Sequence, residues 1–239
     1  MYGGPLLWPA AQSRQVLTAY GELCADLPDE LSLFAGLIPS PEDMSPLLAI
    51  IAGWFGPLDG ADAALAPVRA LQPVVDLAGP MPYVALQSMI DDAVPHGLPR
   101  YWKSGYFDTL PEAAITAIAD AGERKPTPLS LELFFHQHGA VTRVGVEETA
   151  FPHRSSSWDF DAIAQWVEPE LAEGSIAWAR GVWDELAPYS RGVYVNHLDG
   201  DDRGRIAQAY GPNHARLVSL KQKYDPDNFF RLNNNIVPA

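Results

Sequence analysis

Leu129-Ser130-Leu131-Glu132-Leu133-Phe134-Phe135-His136-Gln137-His138 is the stretch from which the fold is read. Leu131, Leu133 and Phe135 alternate with Glu132, Phe134 and His136, the period of a strand with one buried face. Gly139-Ala140 follows, and then Val141–Glu148, so the spacing predicts a hairpin. Working outward, Phe160–Trp166 and Tyr101–Phe107 read as further strands. Leu47–Phe55 is an almost continuous apolar run closed by Gly56-Pro57, the mark of a buried strand. Leu31–Ile38 is a shorter apolar run ended by Pro39-Ser40-Pro41, and Val193–Leu198 is read as a strand near the C-terminus.

Helical periodicity alternates with these runs. Residues 9–26 place Val16, Leu17, Tyr20, Leu23 and Cys24 on one stripe, and Ala61–Leu71 and Tyr83–Asp91 read as helices. Pro111 suits the first position of another. Pro169–Leu186 carries Ile176, Ala179, Trp183 and Leu186 near one stripe. Asn213–Tyr224 is a helix stopped at Asp225-Pro226, because the residue before proline is pushed out of the helical region. Together these elements predict an α+β fold: a mainly antiparallel sheet with helices covering one face and the other face free to meet a partner.

The chain has 239 residues, 47% of them hydrophobic, which suffices for one large core or two small ones. A formal charge of −14 argues against nucleic-acid binding and against docking on anionic membranes, both of which need clustered Lys and Arg. The single cysteine, Cys24, cannot close an internal disulfide, and its apolar neighbours predict a buried helix position. No apolar run is long enough for a membrane helix and the N-terminus has no basic leader, so a cytoplasmic location is expected. His136 and His138 share a strand face, but no third ligand is spaced beside them, and no metal site is predicted. Ser155-Ser156-Ser157 lies in no Gly-x-Ser-x-Gly elbow, which argues against a hydrolase.

The C-terminal fifth carries the chemistry. It runs Gly192-Val193-Tyr194-Val195-Asn196-His197-Leu198, then Ala209-Tyr210-Gly211-Pro212-Asn213 and Arg216-Leu217. It closes with Leu220-Lys221-Gln222-Lys223-Tyr224-Asp225-Pro226-Asp227-Asn228-Phe229-Phe230-Arg231-Leu232-Asn233-Asn234-Asn235-Ile236. Tyr194 and Asn196, two apart on a predicted strand, would set a phenol and an amide side by side. Taken alone, that pair is as readily an ordinary half-wet sheet face.

The order and spacing of this run resemble the C-terminal signature of the berberine-bridge-enzyme-like FAD-linked oxidases. Gly3-Gly4-Pro5-Leu6-Leu7-Trp8-Pro9, Gly79-Pro80-Met81-Pro82-Tyr83 and Tyr101-Trp102-Lys103-Ser104 extend the resemblance over nearly the whole chain. The resemblance implies a substrate-side unit over residues 1–190 and a berberine-like segment over residues 191–239 packed on the same unit. It implies FAD as cofactor, with Tyr194 as a catalytic group facing the flavin and Asn196 touching the isoalloxazine. Asp161, in the strand after Phe151-Pro152-His153-Arg154, is the candidate carboxylate to assist Tyr194 in removing a substrate proton. Asn233 and Asn235 fall where the family carries Asn-Gln-Asn, with Asn234 replacing the glutamine. His153 and Arg154 are read as loop-fixing residues, and Lys103 and Tyr106 as sheet structure lining the cavity.

The family's FAD-binding domain, with its covalent attachment residues, has no counterpart here, and Cys24 does not sit in such a context. An FAD-binding domain or subunit is therefore the expected partner, with a small-molecule substrate, and the chain reads as the truncated, substrate-side half of an oxidase. On that basis Phe229, Phe230 and Ile236 would be interface residues. The alternative is a free-standing binding or relic domain that kept the fold without the redox role.

Overall fold

The structure is a computed structural model that describes every residue except Pro41, Ser156, Asp199, Asp201 and Asn233. Its strands are β1 (Tyr2–Pro9), β2 (Leu31–Pro39), β3 (Pro46–Trp54), β4 (Val75–Asp76), β5 (Gly79–Pro80), β6 (Arg100–Phe107), β7 (Leu131–Gln137) and β8 (Ser157–Gln165). They form one sheet in the order β4-β1-β3-β2-β7-β8-β6, with β5 also paired to β1. Every pairing is antiparallel, as expected.

One face of the sheet is covered by α1 (Ser13–Leu23), α2 (Ala61–Arg69), α4 (Glu112–Glu123) and α5 (Ala172–Leu186). Their apolar stripes give Val16, Leu17, Leu65, Val68, Ile115, Ile118, Val182 and Leu186 to one core with Leu33, Leu37, Ile50, Phe134 and Phe160 of the sheet. Removing such side chains from water is the main stabilising contribution, about 1.5–3 kcal/mol for each fully buried large one. Cys24 is 2% exposed and lies in a short 3-10 turn directly after α1, inside this core.

The hairpin predicted at Gly139-Ala140 does not form. Residues Gly139–Arg143 make a 3-10 turn, and no strand follows over 141–148. The reason is topological: β2 and β8 already occupy both edges of β7, leaving no ladder for a local partner. The predicted burial of β7 on one face also needs correction. Glu132, Phe134 and His136 are buried toward the helices, while Leu131 and Leu133 are buried on the opposite face, where Phe135 stays 39% exposed. The helix read over Tyr83–Asp91 is shorter, with α3 spanning Tyr83–Gln87 and a 3-10 turn at Asp91–Ala93.

The predicted strand Val193–Leu198 is likewise replaced. Among the described residues of this stretch the bridge to the sheet is confined to Gly192, with the Tyr106 N–H donating to its carbonyl at 2.9 Å and the Arg191 N–H donating to the Tyr106 carbonyl at 3.0 Å. The next outward carbonyl of that edge, Ser104, is taken by the Arg205 guanidinium at 3.1 Å, so the ladder cannot continue. The chain turns instead through a 3-10 segment, Val195–His197. It then reaches α6 (Ile206–Tyr210) and α7 (His214–Tyr224). Among the described residues, no helix is long and apolar enough to cross a membrane.

Candidate functional site

The face of the sheet away from the helices is partly open. Strand alternation puts Asp159, Asp161 and Ile163 of β8 on it, beside Leu133 and Phe135 of β7 and Trp102, Ser104 and Tyr106 of β6. Register opposes Asp159 to Tyr106 and Phe135, and Asp161 to Ser104 and Leu133. Two carboxylates therefore stand two residues apart on one strand face, 8% and 0% exposed.

A buried charge needs partners. Asp161 Oδ1 accepts a hydrogen bond from the Trp102 indole N–H at 2.8 Å and lies 2.9 Å from His197 Nδ1. Asp159 Oδ2 is 3.7 Å from the same nitrogen. Asp159 Oδ1 and Asp161 Oδ2 are buried without a hydrogen-bond partner among the described residues. Burial opposes a charged His197, but the hydrogen bond and charge of Asp161, with the charge of Asp159, outweigh it and raise its pKa above the ordinary value. Burial first, and then the neighbouring Asp161 charge, push the Asp159 carboxyl up to about 7. The site thus holds protons near neutral pH, the condition for proton transfer. The donor atoms of Asp159, Asp161 and His197 all fall within 4.8 Å of one another, a spacing that would also suit a metal ion.

His197 is stacked on Trp102, with centroids 5.0 Å apart, and meets the Tyr194 ring edge-on at 5.0 Å. The Asn196 amide donates to the Tyr194 hydroxyl at 2.7 Å. The predicted phenol and amide are therefore neighbours, held by a turn and a hydrogen bond rather than by strand alternation. Asp161 makes its closest contacts with Trp102 and His197, and His197 touches both Asp161 and Tyr194. His197 and Asp159 were not singled out by sequence reasoning. Asp159 carried a usable signal, since it sits two before Asp161 and shares its strand face. His197 carried none until the chain turned.

His153 is buried and stacked on Tyr106 at 4.2 Å, and its Nε2 lies 3.1 Å from both the Val193 and the Ala209 carbonyls. Arg154 bonds the Phe151 carbonyl at 3.1 Å and also the Thr149 hydroxyl. Both residues fix the loop that seats the 193–210 segment. Lys103 lies on the helix side of β6 and forms a buried ion pair with Asp202 at 2.8 Å. Asn234 donates to the Val195 carbonyl at 2.6 Å, tying the tail beneath Tyr194, and Asn235 is half-buried beside it. Asn233 lies outside the described residues. Phe229 and Phe230 are 78% and 76% exposed, so the tail presents an apolar surface, while Ile236 is half-buried.

Residues 193–237, which include Tyr194, Asn196 and His197, match the family model described as berberine and berberine like. An FAD-linked oxidoreductase of Dictyostelium discoideum is 34% identical over 246 residues, covering 100% of this chain and 52% of that protein. The fold matches BBE-like #28 from Arabidopsis thaliana with a TM-score of 0.86 at 20% identity, covering 100% of this chain and 56% of the other. It matches Phl p 4, a grass pollen allergen with glucose dehydrogenase activity, with a TM-score of 0.82 at 16% identity, covering 100% and 55%. The relatives are FAD-linked oxidoreductases. The chain is similar to berberine-bridge-enzyme-like proteins, carries the berberine-like segment over residues 193–237, and spans about half the length of the curated relative matched over its whole sequence.

Proposed function

We propose that this chain forms the substrate-side half of an FAD-dependent oxidoreductase acting on an alcohol, sugar or secondary metabolite. The FAD-binding part would come from a separate domain or subunit. The observation that carries this reading is the Asp161–His197–Tyr194–Asn196 cluster, set on an open sheet face at the edge of a hollow. The residues fit a flavin: an exposed amide, a half-buried phenol and a buried carboxylate oxygen without a partner stand together. Asn196 and Tyr194 would hold the ring, with the tail at Asn235 supporting them. When bound, FAD would accept the hydride from the substrate carbon and pass the electrons to oxygen.

The chain's own residues would handle the proton. Tyr194, in its phenolate form, accepts the proton from the substrate hydroxyl and becomes the neutral phenol, and the Asn196 amide, which donates to the Tyr194 oxygen, stabilises the phenolate before the transfer. Asp161 keeps His197 charged and oriented against the Tyr194 ring edge. The indole N–H of Trp102 fixes Asp161 in turn.

The test is to add FAD to the purified chain and separate free flavin by gel filtration, alone and after mixing with the FAD-binding half of a full-length relative. Retained visible flavin absorption, with alcohol-dependent bleaching that Tyr194→Phe abolishes, is expected for the mixture. Bleaching that survives Tyr194→Phe and Asp161→Asn together would assign the proton to other groups. A mixture that never retains flavin would favour a binding domain without redox role.

A further inference from the structure

The open face carries two adjoining hollows. The first, about 490 Å³, is bounded by Trp102, Leu133, Ile163, Asp161 and His197. The second, about 320 Å³, is bounded by Phe34, Ile51, Phe55, Tyr83 and Leu86. Ile90 and Phe135 belong to the walls of both, so the two form one elongated space beside the proton-holding cluster. Each volume is in the range of a small-molecule site.

The chemistry of this space is lopsided. Among the described residues its carboxylates and imidazoles, Asp91, His96, Asp161 and His197, all line the first hollow. Among the described residues, the second has Ser32, Gln87 and Tyr83 as its polar side chains, and the Tyr83 hydroxyl already donates to Gln87 at 2.7 Å. Its other side chains are hydrocarbon, with Phe34, Phe55 and Phe135 the aromatic ones. Phe34 and Phe135 stack at 4.4 Å with their planes 16° apart, and Phe55 meets Tyr83 at 6.1 Å. Phe135, Phe55 and Tyr83 remain 39%, 49% and 56% exposed in this concavity. Exposed aromatic surface gathered in a hollow marks a place for an apolar ligand.

A sugar brings a hydroxyl on nearly every carbon, and each one buried without a partner costs free energy. The second hollow would strand several of them. A flat hydrocarbon with one hydroxyl meets the opposite situation: its rings cover the exposed aromatic surface and its polar end reaches the charged groups.

The geometry points to a binding site for a flat, largely hydrocarbon alcohol of at least two linked or fused rings. Its hydroxyl-bearing carbon lies at Asp161 and His197, and its far ring lies against Phe34, Phe135 and Phe55. The position of the hydroxyl end rests on the proposed oxidoreductase reading; the occupation of both hollows does not.

The experiment is calorimetric titration of the 239-residue chain with 4-biphenylmethanol, benzyl alcohol and D-glucose. Saturable binding of 4-biphenylmethanol is expected, about tenfold or more tighter than benzyl alcohol, with no saturable heat from glucose. Leu86→Trp, on the half-buried rim of the second hollow, should weaken 4-biphenylmethanol about tenfold and leave benzyl alcohol unchanged. Preferred binding of glucose, absence of saturation by 4-biphenylmethanol, or indifference to Leu86→Trp would each overturn the assignment. No readout needs flavin. A chain that binds 4-biphenylmethanol in both hollows yet never supports flavin bleaching therefore upholds this site while removing the oxidoreductase reading.

Discussion

Replacing Gly192 with alanine should unfold the site from behind. A Cβ at this position would stand 2.3 Å from His153 Cε1 and 3.0 Å from its Nδ1. Ordinary carbon contact begins near ~3.5 Å, so the ring would have to retreat by about 1.2 Å. It has little room to do so. Tyr106 is stacked on it at 4.2 Å, and its Nε2 lies 3.1 Å from the Val193 and Ala209 carbonyls. Overpacking of this kind costs about 1–3 kcal/mol, and a lost buried hydrogen bond adds about 1 kcal/mol. The expected loss is about 3 kcal/mol, read by urea unfolding, with a fall in Tm of ~6–12 °C for a domain of this size. The clash also predicts coupling. His153→Ala should cost distinctly less in the Gly192→Ala background than alone, with an interaction energy above about 1 kcal/mol. A single variant within ~0.5 kcal/mol of the parent, or a strictly additive double variant, would refute the reasoning.

Three further outcomes follow from burial and charge. Asp159 has its pKa raised from 3.8 to about 7, so the folded chain keeps a proton that the unfolded chain has lost. That contribution is fully present below about pH 4 and disappears as the pH rises through 7, so Asp159→Asn should be ~4 kcal/mol more stable than the parent at pH 8 and equal to it at pH 4. Denaturation profiles of parent and variant that run parallel across this range would count against it. Burial pushes the Cys24 thiol up to about 12, so native protein should resist Ellman's reagent at pH 8 and react fully in urea. Equal rates in both states would contradict its place in the core. Phe229→Ser with Phe230→Ser should leave stability within about 0.5 kcal/mol, because both rings are exposed. A larger loss on unfolding would mean that the tail packs on the sheet.

The period-2 pattern of Leu131–His136, the apolar run at 47–55 and the helical stripes were legible because hydrophobic spacing states directly which face must leave water. They determined an antiparallel sheet with helices on one side. The pairing of Tyr194 with Asn196, the candidacy of Asp161 and the berberine-like tail were also readable, since they lie in local order and spacing. Which segments became strands was decided elsewhere. The sequence at 141–148 and 193–198 can support extended chain, but β7 had no edge left and the Ser104 carbonyl was taken by Arg205. Competition for backbone partners is a property of the whole sheet, and no local window contains it. The same holds for the site. Only the turn at Val195–His197 brings His197 onto Asp161 and Tyr194, and only strand register sets Asp159 beside them. Proton affinities then follow from burial and from distances between groups far apart in sequence, which composition and spacing do not encode.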